Sequence, residues 1–100
     1  MEIVKTVMAG SLESSDVQVT IEPSGGGITV DISSGVLRQY GRQIKRVVLE
    51  TLERLDVKSA KVTVVDKGAL DCTIRARVEA AVFRSMERTE NIPWGGAVRE

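Results

Sequence analysis

One hundred residues carry fourteen basic and fourteen acidic side chains, so no net field recruits nucleic acid or an anionic membrane. The chain has no histidine, the usual general base, and a single cysteine, Cys72, which excludes an internal disulfide and lacks co-ligands for a metal. A 42% hydrophobic and 28% charged composition is that of one ordinary globular domain, with no run near the ~20 apolar residues a membrane span needs. The N-terminal MEIVKTVMAG has too short an apolar stretch and an acidic second residue for a signal peptide, which leaves the cytoplasm as the expected compartment. Trp94, Tyr40 and Phe83 are the only aromatics, so the core is expected from Val, Ile, Leu and Ala.

In chain order, residues 3–11 begin apolar and β-branched and end in Ala9-Gly10-Ser11, which predicts a strand. Residues 17–22 alternate, with Val17, Val19 and Ile21 on one face and Gln18, Thr20 and Glu22 on the other, as a half-buried strand does. Pro23-Ser24-Gly25-Gly26-Gly27 breaks the chain, and residues 28–32 alternate again. Three strands joined by short turns predict an antiparallel meander. Ser34 offers an N-cap to a helix over residues 35–55, whose apolar stripe is Val36, Leu37, Tyr40, Ile44, Val47, Val48, Leu52 and Leu55. Its other face carries Arg38, Arg42, Lys45 and Arg46, read as a solvated face partly offset by Glu50 and Glu53.

A strand over 60–66 and a helix over 70–88 follow. That helix is apolar on two sides: Leu70, Ile74, Val78, Ala81 and Val82 form one stripe, and Cys72, Ala76, Ala80 and Phe83 another. Such a helix is expected to lie with one stripe on the sheet and the other against a neighbour, the first helix ahead of another subunit. Cys72 then reads as a small buried hydrophobe. Gly68-Ala69-Leu70-Asp71 has one glycine and no lysine-serine pair, so it reads as a tight strand-to-helix connection rather than a phosphate loop. The fold expected is α+β, an antiparallel four-stranded sheet with two helices on one face in the order β-β-β-α-β-α. The domain spans 1–88, with 89–100 as an irregular tail in which Trp94 either folds back or anchors a larger subunit.

Between the first two strands lies AGSLESSD (residues 9–16). Its turn-forming, hydroxyl-bearing and acidic residues predict an exposed hairpin tip that presents serine hydroxyls to water. Without a histidine, a presented serine is more naturally modified than catalytic. Composition alone leaves Glu13-Ser14-Ser15-Asp16 as a plain turn, with Glu13 and Asp16 serving recognition or solubility. Gly10-Ser11-Leu12 faintly resembles the Asp-Ser-Leu of phosphopantetheine carriers. There the serine opens a helix, whereas here a strand follows.

AGSLESSD resembles the N-terminal signature of the citrate lyase acyl carrier protein (gamma chain) family, in which a serine in an AGxLES context carries a coenzyme-A-like group through a phosphodiester. DKGALDCTIRARVEA (66–80) and IPW (92–94) extend the likeness over essentially the whole chain. The resemblance implies a non-catalytic carrier subunit of a citrate-lyase-type complex that converts citrate to acetate and oxaloacetate, with citramalate as a related substrate. It implies covalently attached 2'-(5''-phosphoribosyl)-3'-dephospho-coenzyme A on Ser14, bearing acetyl and citryl thioesters. Ser15, which stands where the family usually has glycine, is the second choice. The partners implied are the alpha (acyl transferase) and beta (citryl lyase) subunits and a prosthetic-group transferase. Two other readings stand beside it: a small regulatory or adaptor domain whose turn is phosphorylated or unmodified, and a nucleic-acid-binding module. The latter is disfavoured by zero net charge and the lack of strand aromatics.

Overall fold

The alternation of residues 17–22 is realised as a strand in which Val17, Val19 and Ile21 are fully buried and Gln18, Thr20 and Glu22 half-buried. The computed structural model of the chain describes residues 2–34 and 39–86. The elements are β1 (Val7–Gly10), β2 (Val17–Glu22), β3 (Ile28–Ser34), α1 (Gln39–Arg54), β4 (Ala60–Asp66) and α2 (Asp71–Ser85). They make an α+β domain with one four-stranded sheet, in the order β1-β2-β4-β3.

The sheet is mixed, which corrects the expected antiparallel meander. β2 pairs antiparallel with β1 and with β4, but β3 runs parallel to β4 at the edge. A parallel neighbour needs a long crossover, and α1 supplies it between β3 and β4. Burial explains why β4, not β3, lies beside β2. Ala60, Val62 and Val64 of β4 are sealed, as a central strand requires, and stack in register with Val19 and Ile21. The inward Ile28, Val30 and Ile32 of β3 are only partly buried, and its Thr29, Asp31 and Ser33 are exposed, the profile of an edge strand. Alternation identifies the buried face of a strand but not its neighbour.

The first strand is shorter than expected because its start is engaged elsewhere. The amides of Val4 and Lys5 donate to Ser85 Oγ at 3.0 and 3.3 Å, and that hydroxyl donates to the Lys5 carbonyl at 3.0 Å. These bonds satisfy the buried Ser85 and press Ile3 into the core.

Both helices cover the apolar face of the sheet, α1 against β3 and α2 against β1 and β2. Ile44, Val47, Val48 and Leu52 of α1 are buried; each such side chain contributes about 1.5–3 kcal/mol on leaving water. α1 ends in a Schellman motif. Asp56 takes the left-handed conformation at φ +56°, Val57 N–H donates to Leu52 C=O, and Asp56 N–H donates to Glu53 C=O. Arg42, Lys45 and Arg46 are exposed, with Arg46 3.8 Å from Glu50, as a solvated face should be. The expected Ser34 cap, helical residues 35–38, the side chain of Tyr40, and residues 87–100 with Trp94 lie outside the described residues.

α2 departs from the two-stripe expectation. Ile74, Val78, Ala81 and Val82 are buried, but Leu70, just ahead of the helix, is 71% exposed. Of the second stripe only Phe83 is buried; Cys72 and Ala76 are exposed, so Cys72 is not the buried hydrophobe expected. The helices meet partly through polar pairs on another side of α2. Gln43 Nε2 donates to Asp71 Oδ2 at 2.8 Å, and Arg54 pairs with the buried Glu79. With those contacts facing α1, Cys72 and Ala76 are left facing water, while Ala80 is half-buried against the core.

Candidate functional site

The loop joining β1 to β2 spans residues 11–16 and is built from the backbone inward. Asp16 N–H donates to Glu13 C=O at 3.1 Å, which closes a four-residue turn with Ser14 and Ser15 at its corners. Ser15 has φ +66°, and a left-handed angle at the third turn position alone is the type II arrangement. Ser15 N–H donates to Lys67 C=O at 2.8 Å, while Lys67 N–H donates to Asp16 C=O at 2.9 Å. Two residues of one chain segment therefore oppose one residue beyond β4. This is a G1-type β-bulge whose first position normally holds glycine. A side chain there costs about 1–2 kcal/mol.

Asp16 holds the loop from the side. Its carboxylate accepts Ser11 Oγ–H at 2.6 Å and Val17 N–H at 2.8 Å, and takes a two-pronged pair from Arg77 of α2 at 3.1 and 3.2 Å. The Ser11 hydroxyl, the Val17 amide and the Arg77 guanidinium together hold the Asp16 carboxyl down at about 2. Ser11 Oγ also accepts Glu13 N–H at 3.3 Å. Gly10 closes the loop base: at φ +88° a Cβ there would lie 1.8 Å from the Val17 carbonyl oxygen.

The three serines thus differ. Ser11 is half-buried and its hydroxyl is committed to Asp16. Ser14 and Ser15 are exposed, and neither side chain is hydrogen-bonded to protein among the described residues. Ser14 occupies the corner with ordinary backbone geometry, Ser15 the strained one.

Behind the tip, buried Asp66 accepts the Gly68 and Ala69 amides at 3.2 and 3.0 Å, which makes the connection from β4 to α2 tight, as read from sequence. A hollow of 240 Å³ beside it is lined by Gln43, Ile44, Asp66, Ala69 and Ile74 among others. A wider hollow of 590 Å³ lies at the opposite end of the sheet, near Pro23 and Lys58, away from the serines.

Asp16, read from sequence as a recognition or solubility residue, instead meets Arg77 of α2. Their pairing across 61 positions makes both structural. One signal pointed that way. The two distinctive segments, 9–16 and 66–80, come together in space, the first giving Gly10, Ser11 and Asp16, the second Asp66, Lys67 and Arg77.

Comparisons with known proteins fall on this same span. A family model for acyl carrier proteins, described as malonate decarboxylase delta subunit (MdcD), matches residues 4–85. The citrate lyase acyl carrier protein of Streptococcus uberis is 54% identical over 85 residues, which cover 85% of this chain and 84% of that one. The citrate lyase acyl carrier protein of Oenococcus oeni is 47% identical over 94 residues, covering 94% and 97%. Among solved structures, a chain of a Pseudomonas malonate decarboxylase hetero-tetramer in complex with malonate superposes with a TM-score of 0.70 at 20% identity, over 85% of this chain and 88% of that one.

Proposed function

Since the chain belongs to the citrate lyase acyl carrier protein family, we propose that it is the acyl carrier subunit of a citrate-lyase-type complex, with Ser14 as its covalent attachment point. The observation that carries this is the exposed, unengaged Ser14 hydroxyl at a turn corner, beside a Ser11 hydroxyl that is already bound to Asp16. The residues present fit a phosphodiester-linked group. The anchor oxygen is open to a modifying enzyme, the turn is braced from two sides, and Asp16, one of its two acidic residues, is neutralised by Arg77.

The group proposed is 2'-(5''-phosphoribosyl)-3'-dephospho-coenzyme A, which when bound supplies a thiol for acyl thioesters. The chain itself holds the anchor in water and keeps the tip's geometry fixed. The alpha and beta subunits would do the chemistry, and a transferase would load Ser14. Tethering raises the effective concentration of the cargo at those sites to the order of millimolar when the arm spans the distance.

Intact-mass measurement on protein from its native cells, followed by mapping of tryptic peptide 6–38, tests this. A nucleotide-plus-pantetheine adduct on Ser14 is expected. Ser14→Ala should fold within about 0.5 kcal/mol of the parent, as exposed substitutions do, and lose both the adduct and citrate cleavage in a reconstituted complex. An adduct that persists in that variant moves the site to Ser15 or Ser11. A lone phosphate instead of the adduct favours the regulatory reading.

A further inference from the structure

The cationic side chains around the tip differ in what they are doing. Arg77 is committed to Asp16 through both prongs of its guanidinium, and Arg84 donates to the Met8 carbonyl at 2.7 Å. Lys67 is different: its side chain is exposed and has no ion-pair partner among the described residues. Its backbone is nonetheless fixed to the serine turn by two hydrogen bonds, to Ser15 and to Asp16.

We propose that Lys67 is the binding residue for the phosphate esterified to Ser14, an arginine-free site made by one ammonium on the strand end opposite the turn. The inference rests on the attachment reading above. Cα atoms facing across such a pair are about 5.5 Å apart. Ser14 is one ~3.8 Å step further. A flexible four-carbon stem and the Ser14–O–P linkage together bridge that gap without any backbone movement.

The charges around the turn point the same way. The Asp16 carboxylate is satisfied by Ser11, Val17 and Arg77, so it competes little for Lys67. Glu13 is exposed on the turn and would repel a diester, and Lys67 is the uncommitted cation placed to offset it. The hold is one exposed charge pair, so it should weaken with salt, the screening length being about 10 Å at 0.1 M and about 3 Å at 1 M. An ion pair of this type orients the root of the arm without burying it.

The test uses full-length protein loaded by the transferase and checked by intact mass, as parent, Lys67→Ala and Lys67→Arg. Both variants keep the two backbone bonds, and melting curves matching the parent establish that the tip is folded. The readouts are the loading rate and the phosphorus NMR line of the Ser14 ester at low and high sodium chloride. Lys67→Ala should load about threefold to fivefold more slowly at low salt, the range of one exposed pair. Its phosphorus line should be narrower and indifferent to salt. Lys67→Arg should restore rate, line width and salt response. Normal loading and an unchanged, equally salt-sensitive line in Lys67→Ala overturn the Lys67 inference and leave the attachment reading standing. A parent protein with no adduct on Ser14 overturns both.

Discussion

Asp16→Asn isolates what the charge at the base of the tip contributes, since the amide keeps the shape of the carboxylate but loses the charge that strengthens its bonds to Ser11, the Val17 amide and Arg77. Lowering the carboxyl from 3.8 to about 2 corresponds to nearly two pKa units, or about 2.5 kcal/mol at 1.36 kcal/mol per unit. The Arg77 side chain is 42% exposed and Asp16 15%, so solvent screening trims the usable figure to about 1.5 kcal/mol. For a domain of this size that is a fall in Tm of roughly 6–12 °C at pH 7.

The pH dependence follows from the direction of the shift. A carboxyl depressed in the folded state contributes fully above its unfolded value near 4 and loses that contribution as pH falls toward 2. The gap between parent and Asp16→Asn should therefore be constant from pH 5 to 8 and shrink to about a third by pH 2.5. Urea or thermal unfolding at pH 7 and pH 2.5 measures both ends. A gap that persists undiminished at pH 2.5, or no gap at pH 7, would refute the assignment of Asp16 as an ionic brace.

Two further substitutions probe the backbone of the loop. Ser15→Gly releases about 1–2 kcal/mol of left-handed strain and gives back part of it as unfolded-chain freedom, so a net gain of about 0.5–1 kcal/mol is expected in thermal unfolding. A loss of stability there would argue against the bulge, and loading of Ser14 should survive. Gly10→Ala forces a Cβ to within 1.8 Å of the Val17 carbonyl oxygen, so the base of the loop must open. We expect a cost above about 3 kcal/mol, with faster amide exchange around residues 8–20; a variant as stable as the parent would contradict the close approach.

The parts of the fold legible in sequence are those set by local periodicity. β2 and β4 fall at 17–22 and 60–66 as read, because each alternates against a sealed face. The exposure of Ser14 follows from turn chemistry in the same local way. What escaped was non-local. Nothing in the spacing of β3 says that β4 will take its place beside β2, since that choice depends on which strand is apolar enough to be surrounded. Cys72 and Ala76 were misplaced for a related reason: small side chains cost little to expose, so a stripe of them does not compel burial. The Asp16–Arg77 brace joins a turn to a helix 61 positions away. Each partner by itself looks like an ordinary surface charge.

The two amide–carbonyl links from Ser15 and Asp16 to Lys67 make the tip an extension of the central sheet rather than a free-swinging flap. A cargo mounted there gains no travel from the protein. With the attachment proposed at Ser14, the separation of the partner active centres is limited by the length of the arm, and the carrier works as a fixed pivot whose radius is set by its covalent passenger.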